Sequence, residues 1–140
     1  LILFDANDPD QLHRAEAWYA QAGITNPRKQ IDVAEIYVPF SWYEPIWMEG
    51  LLFAEEGEGW KMTESGATQI TGDLPVSCSG GVLSTNPIGA SGMIRFGEAA
   101  MQVRGQAGDH QVDGAKVALG HAYGGAAQFY AMWIVGSDKP

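Results

Sequence analysis

The sequence predicts an α/β fold in one domain spanning residues 1–140, a mixed sheet covered by helices. Three observations lead there. Segments of helical and strand periodicity follow in the order helix, strand, helix, loop, helix, strand, strand. The 140 residues are 46% hydrophobic and 18% charged, which supplies a real core and excludes a disordered tail. Glycine-rich stretches fall between the periodic segments, where tight turns at one sheet edge need them.

The elements follow in order. Asp8-Pro9-Asp10-Gln11 offers a capping residue, a proline at the first helical position and acids in the first turn. Leu12, Ala15, Trp18 or Tyr19 and Ala22 then recur at helical spacing up to Gly23. The polar stretch 25–30 reads as a connector. Ile31, Val33, Ala34 and Ile36 make a short strand ending near Tyr37, because Pro39 has no N–H for a ladder. Residues 41–56 read as a helix with Ile46, Met48, Leu51 and Leu52 in its apolar content, stopped by Gly57 and Gly59. Residues 60–74 are polar and turn-rich, an excursion with at most short strands. Residues 88–103 form a second strong helix whose small start, Gly89-Ala90-Ser91-Gly92, admits a close approach; Met93, Phe96, Ala100 and Val103 line one face. Residues 116–119 and 128–135 read as two strands flanking a turn at His121-Ala122-Tyr123-Gly124-Gly125.

Composition narrows the function classes. Seventeen acids against eight bases give a net charge of −9 with no Lys/Arg cluster, which argues against nucleic-acid binding. The longest apolar run, residues 126–135, is interrupted by Gln128 and is far short of the roughly 20 residues of a membrane span. The opening LILFDAND has no basic n-region, so it reads as a strand or a cut end rather than a signal peptide. The single cysteine, Cys78, precludes an internal disulfide framework and favours a reducing cytoplasm. His13, His110 and His121 have no metal-ligand spacing. Trp42, Trp47, Met48, Phe53 and Trp60 make an aromatic-rich region, read as core that in part lines an apolar pocket or a partner surface.

Three junction segments stand out: EIYVPF at 35–40, SGGVLSTNPIGASG at 79–92 and HAYGG at 121–125. In order and spacing they resemble the C-terminal domain of the thiolase superfamily. Thiolases carry there an NEAF or HDCF box, a GG…GHPxGxSG loop opening a helix, and a C-x-GG or H-N-x-GG turn before the last strand. The resemblance covers residues 10–136 and implies a βαβαβαββ domain, half of an αβαβα thiolase. It implies that an N-terminal half bearing the nucleophilic cysteine lies outside this chain, and that Cys78, just before the GG, is structural.

The departures from the family boxes point to altered chemistry. Asn86 stands at the GHP histidine and Tyr37 at the NEAF asparagine, while either His121 or Ala122 takes the place of the last-box residue. An asparagine amide donates to an enolate oxygen but is no base. A tyrosine, with a usual pKa of about 10, is an acid and a poor base until its phenolate is stabilised. The expected site is therefore Tyr37, Tyr123, Asn86 and His121, with Gly89 and the N–H groups of Gly124 and Gly125 around an oxyanion.

This pattern is similar to the lipid-transfer-protein type of thiolase homologue, whose members serve as retro-aldolases in bacterial steroid side-chain degradation. The resemblance implies cleavage of a β-hydroxyacyl-CoA, a 17-hydroxy steroid thioester releasing propionyl-CoA, with coenzyme A as part of the substrate and no covalently bound cofactor. It also implies a homodimer and a partner with a zinc ribbon and an OB fold. The acidic chain offers no obvious dock for coenzyme A phosphates, so they fall to other protein or to backbone N–H groups. Two alternatives stand beside it: an acyltransferase with its cysteine in the other half, and a non-catalytic scaffold subunit.

Overall fold

A computed structural model describes residues 11–125 and 129–137. The proposed capping at residues 8–10 and the opening apolar residues lie outside them. Helix α1, Gln11–Gln21, ends where Gly23 turns at φ +70° and Ile24 N–H closes on Tyr19 carbonyl at 2.8 Å. Ala15 and Tyr19 are buried as their spacing requires, and the Tyr19 hydroxyl donates to the Leu51 carbonyl at 2.8 Å.

The connector at 25–30 instead holds a short helix, α2, Pro27–Gln30. Its cap is local: the Asn26 side chain accepts from Lys29 N–H, and Pro27 takes a position whose N–H has no helical partner. Strand β1 is only Val33–Glu35. It pairs in parallel with β2, Val117–Gly124, and β2 pairs antiparallel with β3, Phe129–Gly136, giving the sheet order β1-β2-β3. On its other side β1 meets residue Val76 in a single parallel bridge. The fold is the α/β class that the sequence predicted, a mixed sheet with helices on both faces.

The other differences have physical causes. The helix expected over 41–56 is α3, Tyr43–Gly50, because Leu52 turns into the left-handed region. The excursion at 60–74 contains a helix, α4, Gly59–Glu64, rather than short strands. Gly59 reads as a stop in sequence, yet a Cβ there would sit 2.2 Å from the Pro45 carbonyl oxygen, so it is the residue that lets α4 dock on α3. Thr63 and Thr68 hydroxyls complete the joint on Glu44 Oε1. A short helix, α5, Gly81–Ser84, precedes the Asn86 loop, and a 3-10 turn at Ile88–Ala90 leads into α6, Ser91–Val103. The expected turn at 121–125 is mostly strand, since β2 runs in register with β3 from Val117↔Gly136 to Gly124↔Phe129.

Side chains alternate across β2. Leu119, His121 and Tyr123 face the core that contains Tyr19, Ile36, Trp47, Met48 and Leu74; Val33, Ala99, Val112 and Ala118 pack on the opposite face beneath α6. There Gly92 meets Ala122, with a Cβ placed 3.0 Å from that of Ala122, so the expected close approach is between α6 and the sheet itself.

The orientation of α6 turns part of its predicted apolar face outward: Val103 packs against the core, but Met93 and Phe96 do not. Ser91, Arg95, Ala99 and Gln102 are the residues buried against the sheet, while Met93 (72% exposed), Phe96 and Met101 face outward. The polar face is buried because its groups find partners: Gln102 donates to the His110 carbonyl and accepts from Val112 N–H, and Arg95 meets Glu35. In the aromatic-rich region Trp47, Met48 and Phe53 are core, whereas Trp42 and Trp60 are exposed.

Candidate active site

Tyr37 lies two residues beyond β1, and the Trp47 indole donates to its carbonyl at 3.1 Å, which fixes the backbone there. Its buried ring projects so that the phenol donates to Asn86 Oδ1 at 3.1 Å. The same oxygen accepts from Ser91 Oγ at 2.7 Å and from Ile88 N–H at 3.2 Å. Because a backbone N–H can only donate, the amide of Asn86 is oriented unambiguously: Oδ1 is saturated and the Nδ2 donors are left over. No described residue accepts from Nδ2, and Asn86 is exposed.

The turn that achieves this is strained. Ile88 adopts φ +47°, an unfavourable region for a β-branched side chain, and it is 78% exposed. Such strain costs on the order of 1–3 kcal/mol and persists where surrounding contacts impose it. Here the Ser91 and Ile88 bonds to Asn86 do so.

Tyr123, on β2, completes the group. Its ring stands edge-on to Tyr37 with centroids 4.9 Å apart and stacks on Tyr43 at 5.5 Å, with Trp47 and Tyr130 behind. Burial, followed by a hydrogen bond with Tyr43 and the neighbouring phenols, raises the Tyr123 pKa above the usual phenol value. The hydroxyl is therefore a proton donor at neutral pH rather than a phenolate.

The remaining sequence-predicted residues are distributed as follows. His121 lies under the aromatic wall, 1% exposed, 4.6 Å from Trp47 by ring centroids and 6.5 Å from Tyr123. Burial pushes its pKa down to about 3, and its Nδ1 has no partner among the described residues, so it is a neutral ring at physiological pH. Ala122 points to the opposite face, toward α6. Gly124 ends β2 and Gly125 turns at φ +61°, next to the strand that carries Tyr123; Gly89 and Gly124 border open space. Cys78 lies by the core beneath α6, with its thiol pushed up to about 11 by burial and by Glu35. Among the described residues no cluster of three or more His, Cys, Asp or Glu side chains is placed to hold a metal, and no helix is long and apolar enough to cross a membrane.

Sequence reading missed Tyr43 and Tyr130, which pattern analysis cannot separate from core aromatics, and Ser91, whose hydroxyl aims Asn86. It also missed a buried cluster of Glu35, Ser79 and Arg95. A carboxylate inside the apolar run of 33–38 was the available signal. Two open grooves, of about 610 and 560 Å3, gather around Arg28, and neither is lined by Tyr37, Asn86 or Tyr123.

Comparison with known proteins identifies the family of the chain. The chain is 40% identical over 105 residues to an acetyl-CoA acetyltransferase of Methanothermobacter thermautotrophicus, covering 74% of this chain and 27% of that one. It is 36% identical to human sterol carrier protein 2 over 124 residues, covering 87% of this chain and 22% of that one. Among solved structures, an Ltp2-ChsH2(DUF35) aldolase superposes with a TM-score of 0.77 at 27% identity, over 94% of this chain and 33% of that chain. The chain thus spans between about a fifth and a third of these relatives. Residues 12–137 match the family described as thiolase C-terminal domain-like. By that match over nearly its whole length, this chain belongs to the thiolase superfamily as a C-terminal domain.

Proposed function

We propose that the domain forms one wall of an active site that cleaves a β-hydroxyacyl-CoA by a retro-aldol reaction. The observation that carries this reading is the Tyr37–Asn86 hydrogen bond beside a protonated Tyr123, which sets phenol proton donors and an amide side by side. As the Cα–Cβ bond breaks and its electrons move into the thioester as an enolate, the protonated tyrosine pair acts as a relay: a phenol gives its own proton to Cα as it takes up the proton leaving the substrate hydroxyl. One proton leaves oxygen and one reaches carbon, so the products are a ketone and a shortened acyl-CoA. Asn86 Nδ2, with the N–H groups of Gly124 and Gly125, holds the enolate oxygen; each such donor contributes on the order of 3 kcal/mol in oxyanion sites. His121, neutral and buried, backs the aromatic wall.

The aldolase among the structural relatives supports the reaction type. For the substrate we propose a 17-hydroxy steroid side-chain thioester releasing propionyl-CoA, its bulk received beside the exposed Phe40 and Ile88. The opposing wall comes from an N-terminal thiolase half, which also covers the outward face of α6, in a homodimer joined to a zinc-ribbon/OB-fold partner. A second reading, acyl transfer with a cysteine supplied by that half, is favoured by the 40% identity to an acetyltransferase. Incubating the full-length protein and its partner with the steroid β-hydroxyacyl-CoA is expected to release propionyl-CoA. Rapid thiolysis of acetoacetyl-CoA by free coenzyme A, without that release, would defeat the aldolase reading in favour of the transferase.

A further inference from the structure

The buried cluster beneath the Asn86 loop takes no part in the steps above. Glu35, wholly buried at the end of β1, accepts at Oε2 from Arg95 Nη1 on α6 and from Ser79 Oγ at 2.8 Å, and at Oε1 from Ser79 N–H at 3.1 Å. Ser79 Oγ in turn accepts from Arg95 Nη1 at 2.8 Å. The Nε of Arg95 has no partner among the described residues. A buried ion pair with an unsatisfied donor is a poor source of net stability, since apolar side chains of similar volume do as well or better. Its value must lie in what it fixes.

The cluster joins the three segments that build the site. β1 delivers Tyr37 two residues after Glu35. The loop delivers Asn86 seven residues after Ser79. Helix α6 begins with Ser91, one turn before Arg95, and Ser91 holds Asn86 Oδ1. Residues 83–90 are all exposed, so the place of Asn86 is inherited from anchors at the two ends of the loop. Ser79 is the anchor at the first end, Ser91 at the second, and both refer back to Glu35 through Arg95 and α6.

We propose that Glu35, Ser79 and Arg95 are positioning residues that set the Tyr37–Asn86 contact without touching substrate. This inference rests on the Tyr37–Asn86 site proposed above. Ser79→Ala in the full-length protein removes the shared hydroxyl but leaves the Glu35–Arg95 pair, so the core charge stays matched; Glu35→Asp, which retracts the carboxylate by one carbon, is the second variant should Ser79→Ala not fold. A crystal structure is expected to show the Tyr37 Oη to Asn86 Oδ1 distance opened from 3.1 Å beyond hydrogen-bond reach. Turnover falls about tenfold with KM within about twofold, the penalty of a misplaced group, and Ser79→Thr restores both. Retention of the 3.1 Å contact in Ser79→Ala overturns the proposal whatever turnover does. An opened contact with wild-type turnover upholds the positioning role and defeats the retro-aldol reading instead.

Discussion

Replacing Tyr37 by phenylalanine separates chemistry from structure at this site. The variant keeps the ring, its edge contact with Tyr123 and the Trp47 bond to its carbonyl, and loses only the donor to Asn86. Asn86 Oδ1 retains two donors, Ser91 Oγ and Ile88 N–H, so no acceptor is left bare. The structural cost is therefore at the low end for a hydrogen bond, about 0.5–1 kcal/mol. Loss of an acid–base group is larger, about 10²–10⁴ in turnover, or about 3–5 kcal/mol of barrier. The assay pairs aldolase kcat on the β-hydroxyacyl-CoA with a urea denaturation midpoint, both on the full-length protein. Turnover within threefold of wild type, or a stability loss matching the loss of rate, would refute the catalytic assignment and leave Tyr37 as a packing residue.

Two further outcomes follow from burial. His121 has a pKa near 3 when folded against about 6.5 when unfolded, so the unfolded chain takes up a proton that the folded protein refuses. Its contribution is full above pH 6.5 and is lost as pH falls toward 3; wild type should lose about 2 kcal/mol relative to His121→Phe between pH 6.5 and 5. Parallel pH–stability curves for the two proteins would show that the ring is not buried. Met93→Glu in the full-length protein should cost about 2 kcal/mol or more, by burying a charge under the N-terminal half, and a change below about 0.5 kcal/mol, the range of surface substitutions, would show that this face meets water.

The sequence carried the site further than it carried its support. Tyr37, Asn86 and Tyr123 were legible as neighbours because each falls in a box of the family pattern, and in the structure Tyr37 touches both of the others. Periodicity found α6 and then misassigned part of its inner face, because an apolar stripe indicates burial without naming what buries it. Gly59 and Gly120 interrupt local patterns for tertiary reasons: Gly59 admits the Pro45 carbonyl, and a Cβ on Gly120 would press on Trp133 at 3.0 Å. Local pattern alone therefore reads Gly59 as a helix stop and leaves Gly120 outside the strand. Glu35 and Arg95 are 60 positions apart, and no local signal joins them.

The outward apolar side chains of α6 have a consequence for handling the protein. Its inward side is committed to Arg95 and Gln102, so the helix cannot roll to hide Met93, Phe96 and Met101 without stranding charge and amide groups. An excised C-terminal domain must therefore present those three side chains to any surface it meets. Such a fragment would self-associate, and detergent or the covering segment, rather than added salt, is what should keep it monodisperse.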